Sequence, residues 1–495
     1  MKDFEITKYE PKNILKHFSE ICKIPHISSY EKQLSDYLKD FFKKNGCQVK
    51  QNKIGNLIAI KPASKGYENY PSILLQAHID MVPSVASNCE IDMTKDPVKP
   101  YIENGWMKAE NTSLGFDDGF GIAYIMEIVS NNDIKHGPLE ILLTVQEETT
   151  SAGACTISKG LIKSKYYVNL DNCSEDLVNG SAGASRFSAI RKFKLSNIVK
   201  TNKTIYKFRV FNLIGGHSAF NIPNDHINAI KFVGDVLYNF SLEDSINLIK
   251  IDGGSAQGAI PTSCEAIFLI DSSNFDKLDK IANEYLNAYK KVALNDKNAK
   301  IELTKVDNEY LKMLSIKDTE DILGLIATIF HGVALRDKKN YNNMFLSSNL
   351  GIIKTNDNEI MIRNMARSFD GTLLKKLENS NKLICKKFKF NKIVQTSEDF
   401  SIPWVSDLEK NDIAKLYLKL YKKITKKTIK ISKNPGVLEI VEVVKANPIM
   451  EANSISIGAK HIDYHSYNEK AEIASFERVF KVLIELLKNA MILLK

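Results

Sequence analysis

Eight polar residues stand where a chain of this composition would be expected to bury apolar ones. His78 and Asp80 close the apolar run LLQAHIDMVP (Leu74–Pro83). Asp117 and Asp118 lie in SLGFDDGFG, Glu147 and Glu148 end LLTVQEE, Asp171 ends YYVNLD, and His465 sits far downstream in HIDYHSYNE. Each has a plain reading when taken alone: a hydrogen-bonded histidine, a turn, a solvated acid pair, a strand exit. Together, two histidines and three carboxylates at the ends of separate apolar elements have the donor types of two adjacent sites for a borderline metal such as Zn²⁺, with one carboxylate shared. Buried carboxylates without a partner would each cost several kcal/mol, roughly, and a cation removes that cost. Two residues beyond His78, Asp80 is placed to accept the second imidazole N–H and fix the ring tautomer. The doubled Glu147–Glu148 offers one ligand and one general base. Such a base serves a water activated between metals about 3.5–4 Å apart.

The elements that must position these residues alternate. A helix is expected over SSYEKQLSDYLKDFFKKNG, with a serine start and Gly46 as its stop. GNLIAIKP, PSILLQAHID, PLEILLTVQEE and KYYVNLDN read as strands, and GFGIAYIMEIVSNN as a helix. That alternation predicts an α/β class with helices on both faces of a mixed central sheet, and sites form at the carboxyl ends of strands in such sheets. Near residue 187 the order becomes strand, helix, strand, strand, helix, strand (IYKFRVFNL to AKIELTKV), and a looser second copy follows through SSNLGIIKT and IMIRNMARS. Two ferredoxin-like halves in an inserted α+β domain are therefore expected. The boundaries are set at 1–186 and 399–495 for the two parts of the catalytic domain and at 187–398 for the insertion.

Bulk properties limit the alternatives. A chain of 495 residues exceeds one hydrophobic core. The 68 basic and 59 acidic residues give a net charge of +9, spread without a dense basic block, so nucleic-acid binding is not expected. Seven cysteines without CxxC spacing suit a reducing compartment, so a cytoplasmic protein is expected. The N-terminal MKDFEITKYEPKN carries acids and no apolar core, which argues against a signal peptide. No run of about 18 uncharged apolar residues argues for a membrane span.

These motifs carry a resemblance that extends over nearly the whole chain. QAHIDMVP, SLGFDDGFGIA, QEETTSAGA, NLDN, NGSAGA, GGHSAFNIP, GAIP, SSNLG, RSFD and SISIGAKHIDYHSYNE occur in order. In them the chain resembles the aminoacyl-histidine (cytosol non-specific) dipeptidases, co-catalytic zinc peptidases related to carboxypeptidase G and carnosinase. The resemblance implies two Zn²⁺ per subunit, with Mn²⁺ or Co²⁺ as substitutes. His78 and Asp171 would hold one ion, Glu148 and His465 the other, and Asp117, followed by a cis peptide bond, both. It implies Glu147 as general base, Asp80 as orienting residue, and His217 of GGHS as a donor to the oxyanion of a neighbouring site across a homodimer. Arg367 of RSFD would clamp a substrate carboxylate, and Glu439 of NPGVLEI would be a further substrate contact. The expected substrates are short unblocked peptides, chiefly dipeptides and Xaa-His among them.

The departures lie mainly around the substrate. Gln146 replaces an aspartate; Ala219, Asn221, Pro223 and His226 follow GGHS; Gly258 and Thr262 alter the GAIP segment. Two other readings share the scaffold: an amidohydrolase of N-acyl or β-alanyl amino acids, and a degenerate zinc-binding interaction protein. Intact Glu147 and all five ligand positions weigh against the second.

Overall fold

A computed structural model describes residues 2–198, 202–306, 310–338, 343–396 and 399–494. The chain forms two compact units. One comprises Met1–Ser181, Trp404–Asn434 and Leu438–Lys495; the other comprises Ala182–Pro403 and Pro435–Val437. The expected boundary at 187 falls inside a strand, Gly183–Lys192, that belongs wholly to the second unit. The expected boundary at 398 lies outside the described residues.

In the first unit, strands Leu139–Thr144, Ile73–His78, Tyr166–Asn169 and Ser454–Ile457 lie side by side and parallel. Their carboxyl ends therefore face one way. Antiparallel strands extend this core to Gln48–Gln51 on one side and Trp404–Val405 on the other. The three strands that lead to His78, the Glu147–Glu148 pair and Asp171 are buried at every residue, as parallel strands covered on both faces must be. Helices Lys12–Cys22, Lys32–Lys44, Phe116–Ser130, Asp412–Thr425 and Ile473–Lys488 contribute apolar residues to the surrounding core. The serine start expected for the second of these is replaced by Glu31, whose carboxylate accepts the Ser29 amide at 2.8 Å instead of capping the helix.

The second unit is organised around one large antiparallel sheet built from two similar halves. Strands Lys203–Phe211, Asn247–Gly253, Cys264–Asp271 and Lys300–Lys305, with helices Ala229–Ser241 and Phe275–Val292, make the expected βαββαβ unit in the spatial order fourth, first, third, second. The other half takes the same order from Gly183–Lys192, Met344–Asn356, Glu359–Ser368 and Lys392–Val394, with helices Ile316–Thr328 and Gly371–Lys387. Its first strand precedes the entire first half in the chain. The second copy looks loose in sequence because the first is inserted into it. Gly253 pairs with Ile353 to join the halves.

Candidate metal centre

Each polar group that closes a parallel strand is fixed by a neighbour that leaves its donor atoms facing inward. His78 ends its strand, and its Nδ1 lies 2.9 Å from the Asp80 carbonyl oxygen. An Nδ1–H donated there leaves Nε2 turned to Asp117 Oδ1, 3.1 Å away. The Asp80 carboxylate does more than the sequence suggested. It stands 3.5 Å from His78 Nδ1, but it accepts the backbone N–H of Glu147 at 2.9 Å, that of Glu148 at 3.2 Å, and the Ser28 hydroxyl at 2.7 Å. It therefore faces His78 and also holds the glutamate pair, by accepting unpaired amides that open the short helix Glu147–Thr150. Glu31 accepts the preceding amide, Gln146, at 3.1 Å.

Asp117 opens the helix Phe116–Ser130, with a cis bond to Asp118. Its second oxygen is 3.3 Å from His465 Nε2, and that nitrogen is 2.8 Å from Glu148 Oε1. Asp171 follows Tyr166–Asn169, and the turn after it is packed so closely that a Cβ on Gly458 would lie 1.6 Å from the Asn172 carbonyl oxygen. Three overlapping clusters result, each with ligand atoms within 4.8 Å of one another: His78 with Asp117 and Asp171; Asp117 with Glu148 and His465; His78 with Glu147 and Glu148. A fourth joins Asp117, Cys173 and His461.

The electrostatics mark this as a place short of positive charge. Burial and then repulsion from Asp117 push Asp171 up to about 7. Burial, then Glu148, raises Glu147 well above the usual carboxylate range, and burial followed by Asp117 raises Glu148. Burial disfavours the charged form of His465, yet Asp117 and Glu148 overcome it and lift the ring to about 10. More carboxylates converge than two imidazolium ions can balance. The mixed nitrogen and oxygen donor set, with the overlap at Asp117, fits divalent cations.

Glu469 and Gln76 went unread in the sequence, and Asp118 was given no role there. Glu469, buried, accepts the amides of Leu114, Gly115 and Phe116 at 2.7, 3.1 and 3.0 Å. It thereby ties the His465 loop, closed by the pairing of His461 with Ala471, to the approach of Asp117. Asp118 accepts the His78 amide at 3.1 Å. One pleat below the ligands, Gln76 bonds Tyr167 and Asn169 on the neighbouring strand and donates to Glu439 at 2.7 Å. Glu439 also accepts from Thr144; burial raises its carboxyl to about 8, and its Oε1 has no hydrogen-bond partner. These contributors are single polar residues in loops or apolar runs, and the final glutamate of HSYNE was the one available signal.

His217 and Arg367 belong to the second unit. His217 is exposed, on a short strand Gly216–His217 paired with Ala259–Ile260. Its Nδ1 accepts the Ala219 amide at 3.3 Å, which leaves the proton on Nε2 in the neutral ring. Arg367 is buried, with Nε 3.4 Å from the Ser218 hydroxyl, so two distant motifs meet beside GGHS. Burial, then the nearby Arg186, lowers its guanidinium to about 9, and among the described residues no carboxylate lies within ion-pair distance of it.

Known proteins resemble this chain over nearly its whole length. A cytosol non-specific dipeptidase of Escherichia coli (strain K12) is 29% identical over 492 residues, which covers 98% of this chain and 99% of that relative. The crystal structure of aminoacylhistidine dipeptidase from Vibrio alginolyticus superposes with a TM-score of 0.82 at 26% identity, covering 98% of each chain. A tripeptidase from Staphylococcus aureus shares the fold at a TM-score of 0.56 and 15% identity, covering 97% of this chain and 98% of its own. Residues 74–489 match the model of peptidase family M20/M25/M40, and with that match, over a strand-end cluster suited to metal, the chain belongs to this family.

Proposed function

We propose that the chain hydrolyses the peptide bond of short unblocked peptides, chiefly dipeptides with Xaa-His among them, in the cytoplasm and as a homodimer. The observation that carries this reading is the convergence of His78, Asp117, Glu148, Asp171 and His465 beside Glu147 in the first unit. Kinship with relatives named for dipeptide substrates supports the substrate class.

Two Zn²⁺ ions would be held by His78 with Asp171 and by Glu148 with His465, Asp117 serving both. When bound, such ions polarise a carbonyl and acidify a water. The protein does the rest. Glu147, its amide pinned by Asp80, takes the water's proton on its carboxylate and delivers it to the leaving nitrogen. His217, donating through Nε2–H, stabilises the oxyanion in the site of a second copy. Arg367, buried and with no carboxylate at ion-pair distance among the described residues, binds the substrate carboxylate, and Glu439 offers its open oxygen to the substrate's cationic end. The second unit, acting as a lid, would select against long or blocked peptides.

The test is a hydrolysis panel on metal-free enzyme reloaded with Zn²⁺, Mn²⁺ or Co²⁺. Turnover of free dipeptides in preference to N-acyl or β-alanyl amino acids is expected. Turnover of acylated substrates alone would replace this reading with an amidohydrolase. No turnover on any metal would favour a non-enzymatic zinc-binding protein.

A further inference from the structure

The segment that carries His217 is irregular. It leaves the strand Lys203–Phe211, crosses four positive-φ residues (Asn212, Gly215, Gly216 and Asp225), and enters the helix Ala229–Ser241 capped by Asn228. Gly215 has no room for a side chain: a Cβ there would lie 2.4 Å from Thr262 and 2.7 Å from the Ile260 carbonyl oxygen. Such a segment needs outside anchors to keep one conformation.

One buried acid supplies them. Asp296 lies on the connection after the helix Phe275–Val292 and is 1% exposed. Its Oδ1 accepts the Ile214 amide at 2.7 Å. Its Oδ2 accepts the Ile227 amide at 2.9 Å and lies 3.4 Å from His226 Nδ1. Both ends of the His217 segment, residues 214 and 227, are thus tied to one carboxylate. Within the segment, Asn221 accepts the His217 amide at 2.8 Å and returns its own amide to the His217 carbonyl at 2.9 Å.

We propose that Asp296 is a positioning residue for His217. It clamps both ends of the segment, through the Ile214 and Ile227 amides, so that Nε2–H is held in one orientation. This inference rests on the reading of His217 as oxyanion donor. The substitution that probes it is Asp296→Asn, which keeps the shape and sets an N–H against one of the donors.

The experiment is a double-mutant cycle in dipeptide hydrolysis by the zinc-loaded full-length enzyme. It uses wild type, Asp296→Asn, His217→Ala and the pair. His217→Ala should lower kcat about 100-fold. Asp296→Asn should lower kcat about 10-fold with KM within about twofold, and should add nothing once His217 is gone. Equal losses from Asp296→Asn in both backgrounds, or no loss in either, would overturn the proposal while leaving the role of His217 intact. An inert His217→Ala would overturn both. Amide exchange on the unmodified chain gives an independent reading if Asp296→Asn does not fold. Ile214 and Ile227 should be protected to the degree of the adjoining strand and helix; exchange as fast as in exposed loops would overturn the clamp.

Discussion

The two units carry their polar residues in opposite ways. In the first, His78, Asp117, Glu148 and Asp171 stand at the ends of buried elements, and backbone amides are caught by further carboxylates: Asp80 under the glutamate pair, Glu469 under the approach to Asp117. In the second, His217 is exposed on an irregular segment, and Arg367 is buried with no carboxylate at ion-pair distance among the described residues. The difference separates two tasks. A charge-dense site must be organised before anything binds, since its parts repel one another. On the proposed function, the second unit would read the substrate and keep the Arg367 charge for it, and there the sequence departs from the resembling family. Chemistry is therefore expected to be intolerant of change in the first unit, while the second should trade affinity and selectivity.

The largest effect that would break this division is at Glu147. Glu147→Gln should lower kcat by about 10³-fold or more with bound metal unchanged, read by steady-state kinetics and elemental analysis. Asp117→Ala should instead remove metal, lowering the metal stoichiometry of the purified protein together with activity, because one residue belongs to both ligand clusters. In the second unit, Arg367→Met should raise KM for dipeptides about 10- to 100-fold with a smaller change in kcat, and should leave peptides amidated at the C-terminus unaffected. A kcat effect that outweighed the KM effect would undo the contrast. Glu469→Gln should cost about 1–3 kcal/mol of stability, measured by denaturant unfolding, since three amides lose a charged acceptor.

The smallest effect concerns stability alone. Burial favours the neutral form of Glu378, but hydrogen bonds from Lys375 and Lys382 outweigh it and hold the carboxyl at about 2 against an ordinary 4.5. A depressed carboxyl stabilises the fold above 4.5, and that contribution is lost as pH falls from 4.5 through about 2. Glu378→Gln should therefore lower the melting temperature at neutral pH, with the difference from wild type vanishing towards pH 2.

What could be read from sequence follows the same division. Strand ends were visible because apolar runs stop abruptly at His78, Glu147 and Asp171, and a run can be recognised without knowing its neighbours. The inserted unit was visible through its alternating strands and helices, but its second half was blurred. The strand Gly183–Lys192 lies far ahead of its partners, and no local pattern announces such a pairing. Asp80 was singled out for His78, which it faces, but its additional hold on the Glu147 and Glu148 amides went unread because it depends on how a turn elsewhere in the chain is folded. Glu469, beyond its place in HSYNE, and Asp296 were hard to read for a related reason. Each is one acid in a polar loop, and its meaning comes from backbone amides that only the folded chain brings within reach.

The most direct test of the central claim is crystallographic: anomalous scattering at the zinc edge from zinc-loaded enzyme. Two peaks are expected in the first unit, one touching His78 and Asp171, the other touching Glu148 and His465, with Asp117 in contact with both. A single peak, or a pair seated elsewhere, such as on Cys173 and His461, would contradict it.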